Sequence, residues 1–139
     1  MRTIKNAMIL TLVVCVNVLF TSCSDDDTPQ DTLTGKWQLV RYGATDEEKD
    51  IEANECEKKS VLQLNSDATF KSISYEFFNE ECISNIGDGT WEDKGDNVLA
   101  ITRDGVTRNG KYYFVNGNLK LVVVDENGVE QEYSIYQKI

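Results

Sequence analysis

Residues 97–138 read NVLAITRDGVTRNGKYYFVNGNLKLVVVDENGVEQEYSIYQK. Three dipeptides, Asp104-Gly105, Asn116-Gly117 and Asn127-Gly128, punctuate runs rich in Val, Ile, Leu and Tyr at spacings of 12 and 11 residues. Such pairs tolerate positive φ and suit tight two-residue hairpin turns. Strands joined this way pair antiparallel, one after the next, as an up-and-down meander. Within the runs, Leu99 and Ile101, then Leu119, Leu121 and Val123, alternate at the period of two that places one face of a strand against a core. Val122 and Val124 break the alternation, marking either packing on the outer face or a loose register.

Upstream, Trp37 and Leu39, then Leu62 and Leu64, alternate in the same way, with Lys36, Gln38 and Gln63 between or beside them. The expected strands are residues 35–42, 59–65, 68–77, 89–93, 97–103, 107–115, 118–125 and 129–138. Two stretches lack the rhythm. Residues 43–58 (GATDEEKDIEANECEK) are acidic and form either a long loop or a short surface helix, and residues 79–88 around Cys82 read as irregular. A meander of about eight strands leaves two open edges unless it closes, so an all-β, antiparallel up-and-down barrel over residues 35–139 is expected.

The N-terminus carries a different signal. Arg2 and Lys5 precede the apolar run AMILTLVVCVNVLF, which ends in Thr21-Ser22-Cys23. A charged start, an apolar run too short to span a bilayer and small residues before a cysteine read as a cleavable export signal over residues 1–22. Phe20, Thr21 and Ser22 before Cys23 resemble the lipobox of bacterial lipoproteins, which implies acylation at Cys23 and an acyl anchor in a lipid bilayer. Cys15 lies inside the apolar run, behind bulky valines, and is expected to leave with the leader. Residues 23–34 are polar and acidic, hold the chain's one proline, and read as a flexible tether. Asp25-Asp26-Asp27 resembles the acidic export signal of Bacteroidetes-type lipoproteins, implying the outer membrane, on its periplasmic or outer side.

Removal of the leader leaves 117 residues, enough for one domain. Those residues carry 12 basic and 24 acidic side chains, a net charge of −12 that disfavours nucleic acid. Of the four cysteines, Cys56 and Cys82 remain once Cys15 is cleaved and Cys23 acylated, an even pair bound for an oxidising compartment. They are expected to form a disulfide; neither has a second cysteine nearby, and the chain has no histidine with which to build a metal or redox site.

A second resemblance concerns the barrel. Leu33-Thr34-Gly35-Lys36-Trp37-Gln38-Leu39-Val40 looks like the Gly-x-Trp opening strand of lipocalin-like domains, and Ser66-Asp67-Ala68-Thr69-Phe70 and Gly89-Thr90-Trp91 match the hairpin and returning strand of small lipocalin-like lipoproteins. The resemblance covers about residues 33–139 and supports the barrel fold more than any ligand. A binding protein rather than an enzyme is expected from the closed-barrel pattern and the lack of catalytic groups. With no imidazole, the Ser-His-Asp and Cys-His routes are closed. Asp93, Asp104 and Asp125 sit where turns favour Asp, DEEKDIE and DENGVE lack the ligand spacing of a calcium loop, and Gly87-Asp88-Gly89 leads into a strand rather than a helix. No cofactor or metal is expected.

The aromatic residues remain. Most are expected to fill the barrel, with Tyr75, Phe77 and Trp91, around the cysteine-bearing segment, as candidates to hold a small apolar or amphipathic ligand. The other reading is an envelope protein–protein interaction module, an accessory subunit or inhibitor, working through loops such as residues 43–58.

Overall fold

The computed structural model describes residues 32–139. The expected leader, Cys15, Cys23 and nearly all of the expected tether lie outside the described residues.

Nine strands follow one another: β1 (Gly35–Ala44), β2 (Ile51–Glu52), β3 (Val61–Leu64), β4 (Thr69–Phe78), β5 (Glu81–Gly95), β6 (Val98–Arg103), β7 (Val106–Val115), β8 (Asn118–Val124) and β9 (Glu130–Lys138). Each of β3 to β9 pairs antiparallel with its predecessor or successor, and β9 returns to β1 from Trp37↔Lys138 to Ala44↔Glu132. The expected eight-stranded barrel is therefore closed. The two-residue β2 prolongs the β3 side of β1, pairing Arg41 with Glu52 beyond the Gly35–Gln38 pairing with β3. Closure pairs β1 with β9, while residues 81–89 of β5 pair with β4 alone and have no ladder partner on the β6 side.

Turn chemistry explains the hairpins. Asp104-Gly105 and Asn116-Gly117 have φ of 52°, 76°, 52° and 78°, as a two-residue turn that matches strand twist requires. Asn127-Gly128 differs from expectation. Only Gly128 has positive φ there. Glu126, Asn127 and Gly128 form a three-residue loop closed by Asp125 and Val129, and the Asp125 carboxylate accepts from the amides of Asn127 and Val129 at 2.8 Å each.

The larger correction concerns residues 79–88, which are not irregular. Asn79 and Glu80, at φ 48° and 66°, make a two-residue turn, and β5 runs from Glu81, pairing Phe78↔Glu81 through Thr69↔Thr90. Ile83 and Ile86 supply the β-branched character that the strand needs. Of residues 43–58, Gly43 and Ala44 complete β1, residues 45–56 form a loop holding β2, and a 3-10 turn follows at Glu57–Lys59. Cys56 and Cys82 are bonded, with Cα atoms 5.7 Å apart. The disulfide joins this loop to a strand rather than joining two loops.

Register sorts the side chains. Opposed residues of antiparallel neighbours share a face, so Leu64↔Phe70, Leu62↔Ser72, Asp93↔Leu99, Phe114↔Leu119 and Leu119↔Tyr136 share the inner one. The core is made by Leu33, Trp37, Leu62, Leu64, Phe70, Leu99 and Leu119. All belong to one end of the barrel, where β1, β4, β6 and β8 begin and β3, β5, β7 and β9 finish. Leu33 is buried and its carbonyl accepts from Trp37 Nε1 at 2.8 Å, so the packed domain begins two residues before the expected boundary at Gly35. Val122 is packed outside, in a second cluster with Tyr133 and Ile135 that Val40 and Tyr113 flank. Its apolar side chain marks outer packing rather than a slipped register.

Candidate functional site

Above the sealed layer the barrel opens. Ile101 of β6, Leu121 of β8 and Tyr136 of β9 point inward and pack on the core, yet each stays only half-buried. Leu39, opposite Tyr136, is likewise half-buried on the inner face of β1. Nearer the open end, inward positions turn polar or exposed. Ser72 and Ser134 face inward by their pairing with Leu62 and Leu121, and Val106 and Val123 are inward yet 57% and 59% exposed. A well-packed β interior would cover such residues. The lumen thus has an apolar floor, an apolar middle with accessible surface, and a polar rim.

The walls are rigid at the floor. Trp91 points inward, opposite Ile101, and its indole Nε1 donates to the Asn65 carbonyl at 3.0 Å. Trp37 stands 6.2 Å from Phe114, and Phe114 makes an edge-on contact with Tyr112 at 6.1 Å. The Tyr112 hydroxyl donates to Asp93 at 2.9 Å. Burial first, then the Asp93 hydrogen bond and charge, push the Tyr112 phenol above its usual range. Burial also raises the Tyr136 phenol, opposed in part by a hydrogen bond with Ser134. Both tyrosines are neutral at physiological pH, and neither places a charge in the apolar part of the lumen.

Of the three aromatic residues singled out from sequence, the register brings only Trp91 inside. Tyr75 and Phe77 lie on the outer face of β4, opposite Ser84 and Cys82. Phe77 is 60% exposed there. The three do not converge on one pocket. Cys56 and Cys82 fasten the outside wall, and Ser60 helps them: its hydroxyl accepts from the Tyr75 amide at 2.8 Å, continuing the β3–β4 seam past Val61. The Tyr133 hydroxyl donates to Asp50, which also pairs with Arg41 at 3.4 Å, so the 45–56 loop is pinned to β1 and β9.

The inward residues that sequence reading passed over are Arg103 and Arg108. Arg103 follows Leu99 and Ile101 at period two on β6, and Arg108 of β7 stands directly opposite Ile101. An open depression of about 660 Å³ also lies outside the floor, between Thr34–Lys36 and Gln63–Asp67. It is open to solvent, and polar and apolar groups share its lining about evenly.

Residues 33–119 match the lipocalin-like domain. No curated protein sequence matches the chain. Among solved structures, aphrodisin, a sex pheromone from female hamster, superimposes with a TM-score of 0.41 at 13% identity, covering 78% of this chain and 76% of that one. The family match extends from the residue that closes the barrel floor to the first inward residue of β8, well over half of the sequence, and the chain belongs to the lipocalin-like domain family.

Proposed function

We propose that this protein is an exported, non-enzymatic lipoprotein that holds a small apolar or amphipathic molecule in its barrel, anchored through Cys23 to the outer membrane. The observation that carries the binding reading is the inward-facing but accessible surface of Leu39, Ile101, Leu121 and Tyr136 above a sealed floor. Apolar surface left open inside a rigid wall is what a small ligand can cover, at about 25 cal/mol per Å² removed from water. The anchoring reading is supported by the lipobox-like residues before Cys23 and the acid run after it.

The test of binding uses N-phenyl-1-naphthylamine, a neutral apolar fluorophore. Its emission is expected to rise on mixing with the protein, and Leu121→Trp, which fills the lumen, abolishes the rise while the fold's circular dichroism persists. Unchanged emission with the native protein would sink the binding reading. For the anchor, Cys23→Ala releases the protein from the membrane fraction with the barrel still folded, since acyl chains supply the membrane affinity.

A further inference from the structure

We infer that the ligand of this barrel is an amphipathic carboxylate, its chain in the apolar lumen and its anionic head held at the β6–β7 wall by Arg103 and Arg108. The inference rests on the lumen reading above and adds the chemistry of the head group. The chain is strongly acidic, at a net charge of −10, with only four arginines. Two of them occupy inward positions on paired strands, one next to the other across the β6–β7 hairpin.

Arg103 is held over the lumen by a specific absence. Gly87 is buried and faces inward opposite Ser72. A Cβ there would lie 2.9 Å from Arg103 Nη1 and 2.8 Å from the Ser72 hydroxyl oxygen. The missing side chain lets the guanidinium lie across β5 toward Ser72 of β4, and Arg103 Nη2 donates to the Ile86 carbonyl of β5 at 3.2 Å. Its Nε contacts Asp104 at 3.4 Å, which leaves further N–H donors of the five in the fork. Arg108 pairs with Ile101 through the strand ladder, and its guanidinium makes no hydrogen bond or ion pair among the described residues.

Glu76, Glu81 and Glu132 also face inward by register, on β4, β5 and β9, and none bonds either arginine among the described residues. They repel an anion from those strands and leave the β6–β7 side as the attractive one. A carboxylate there meets a planar donor fork and the Ser72 hydroxyl, charge-assisted contacts that a neutral head cannot reproduce. Below them stand Ile101, Leu121 and Tyr136, so one molecule reaches both environments.

The test compares cis-parinaric acid with its methyl ester, two fluorescent probes of one chain and different head charge. The native protein is expected to bind the acid about tenfold more tightly than the ester. R103Q/R108Q erases that preference without weakening ester binding, and Gly87→Ala reduces it by displacing Arg103. Equal affinity for the two probes in the native protein overturns the inference, as does a preference that survives R103Q/R108Q. Ester binding with no acid preference removes the head-group site and keeps the lumen; binding of neither probe removes both.

Discussion

The two ends of the barrel are built on different principles. The floor is a layer of interlocked large side chains, in which Trp37, Leu64 and Leu119 are almost wholly inaccessible. The open end has few such contacts inside and is held from outside instead, by the Cys56–Cys82 bond, the Tyr133–Asp50 hydrogen bond and the Val122 cluster. Packing specifies shape where nothing needs to enter, while covalent and polar fastenings hold a rim whose interior stays free. Under the binding role proposed above, stability and binding fall to opposite ends of the same strands.

The sharpest way to break this contrast is at the floor. Trp37→Ala should destabilise the fold by about 3–5 kcal/mol, measured by chemical denaturation, since it removes the central side chain of the layer and the Leu33 hydrogen bond. At the rim, replacing both Cys56 and Cys82 with Ser should cost about 3 kcal/mol for a closed loop of 26 residues, with amide exchange rising first in residues 43–60. If exchange rose uniformly instead, the rim would not be an independently held unit.

A matched pair sharpens the boundary between the ends. Leu119→Ala should cost about 3 kcal/mol, and Leu121→Ala, two residues along the same inner face, roughly half as much, because its side chain is already partly accessible. Equal losses would mean that the lumen is filled at Leu121. The smallest effect is expected at Glu130 on the outer wall, which accepts from Tyr113 at 2.9 Å and Lys111 at 3.1 Å. The Tyr113 hydrogen bond, then Lys111, hold its carboxyl below the ordinary 4.5. A depressed folded-state value contributes stability above the ordinary one that is lost as pH falls through the lowered one. Glu130→Gln should therefore remove under about 1 kcal/mol at neutral pH, and flatten the stability profile below pH 4.5.

Much of the barrel was legible because its signals are local. Asp104-Gly105 and Asn116-Gly117 announce their turns, and the alternation from Leu99 to Val123 announces the inner face. Asn79-Glu80 was not legible as a turn, since glutamate at positive φ is uncommon, and without that turn the first half of β5 reads as loop. The misplacement of Tyr75 and Phe77 is one of parity. Counting by twos from Phe70 puts Ser72, Ser74, Glu76 and Phe78 inside and both aromatic candidates outside. Arg103 and Arg108 escaped notice because charged side chains are expected on the solvent face; the same count from Leu99 would have carried the inner face to Arg103.

The chain enters the barrel at its floor, through Leu33, and the Ile139 amide donates to the Lys36 carbonyl at the same end. Whatever precedes Leu33 is thus attached to the pole opposite the opening. Grafting the domain by its N-terminus onto a bead or a sensor chip leaves its entrance facing the fluid, and a captured molecule would be exchanged with whatever flows past rather than with the support.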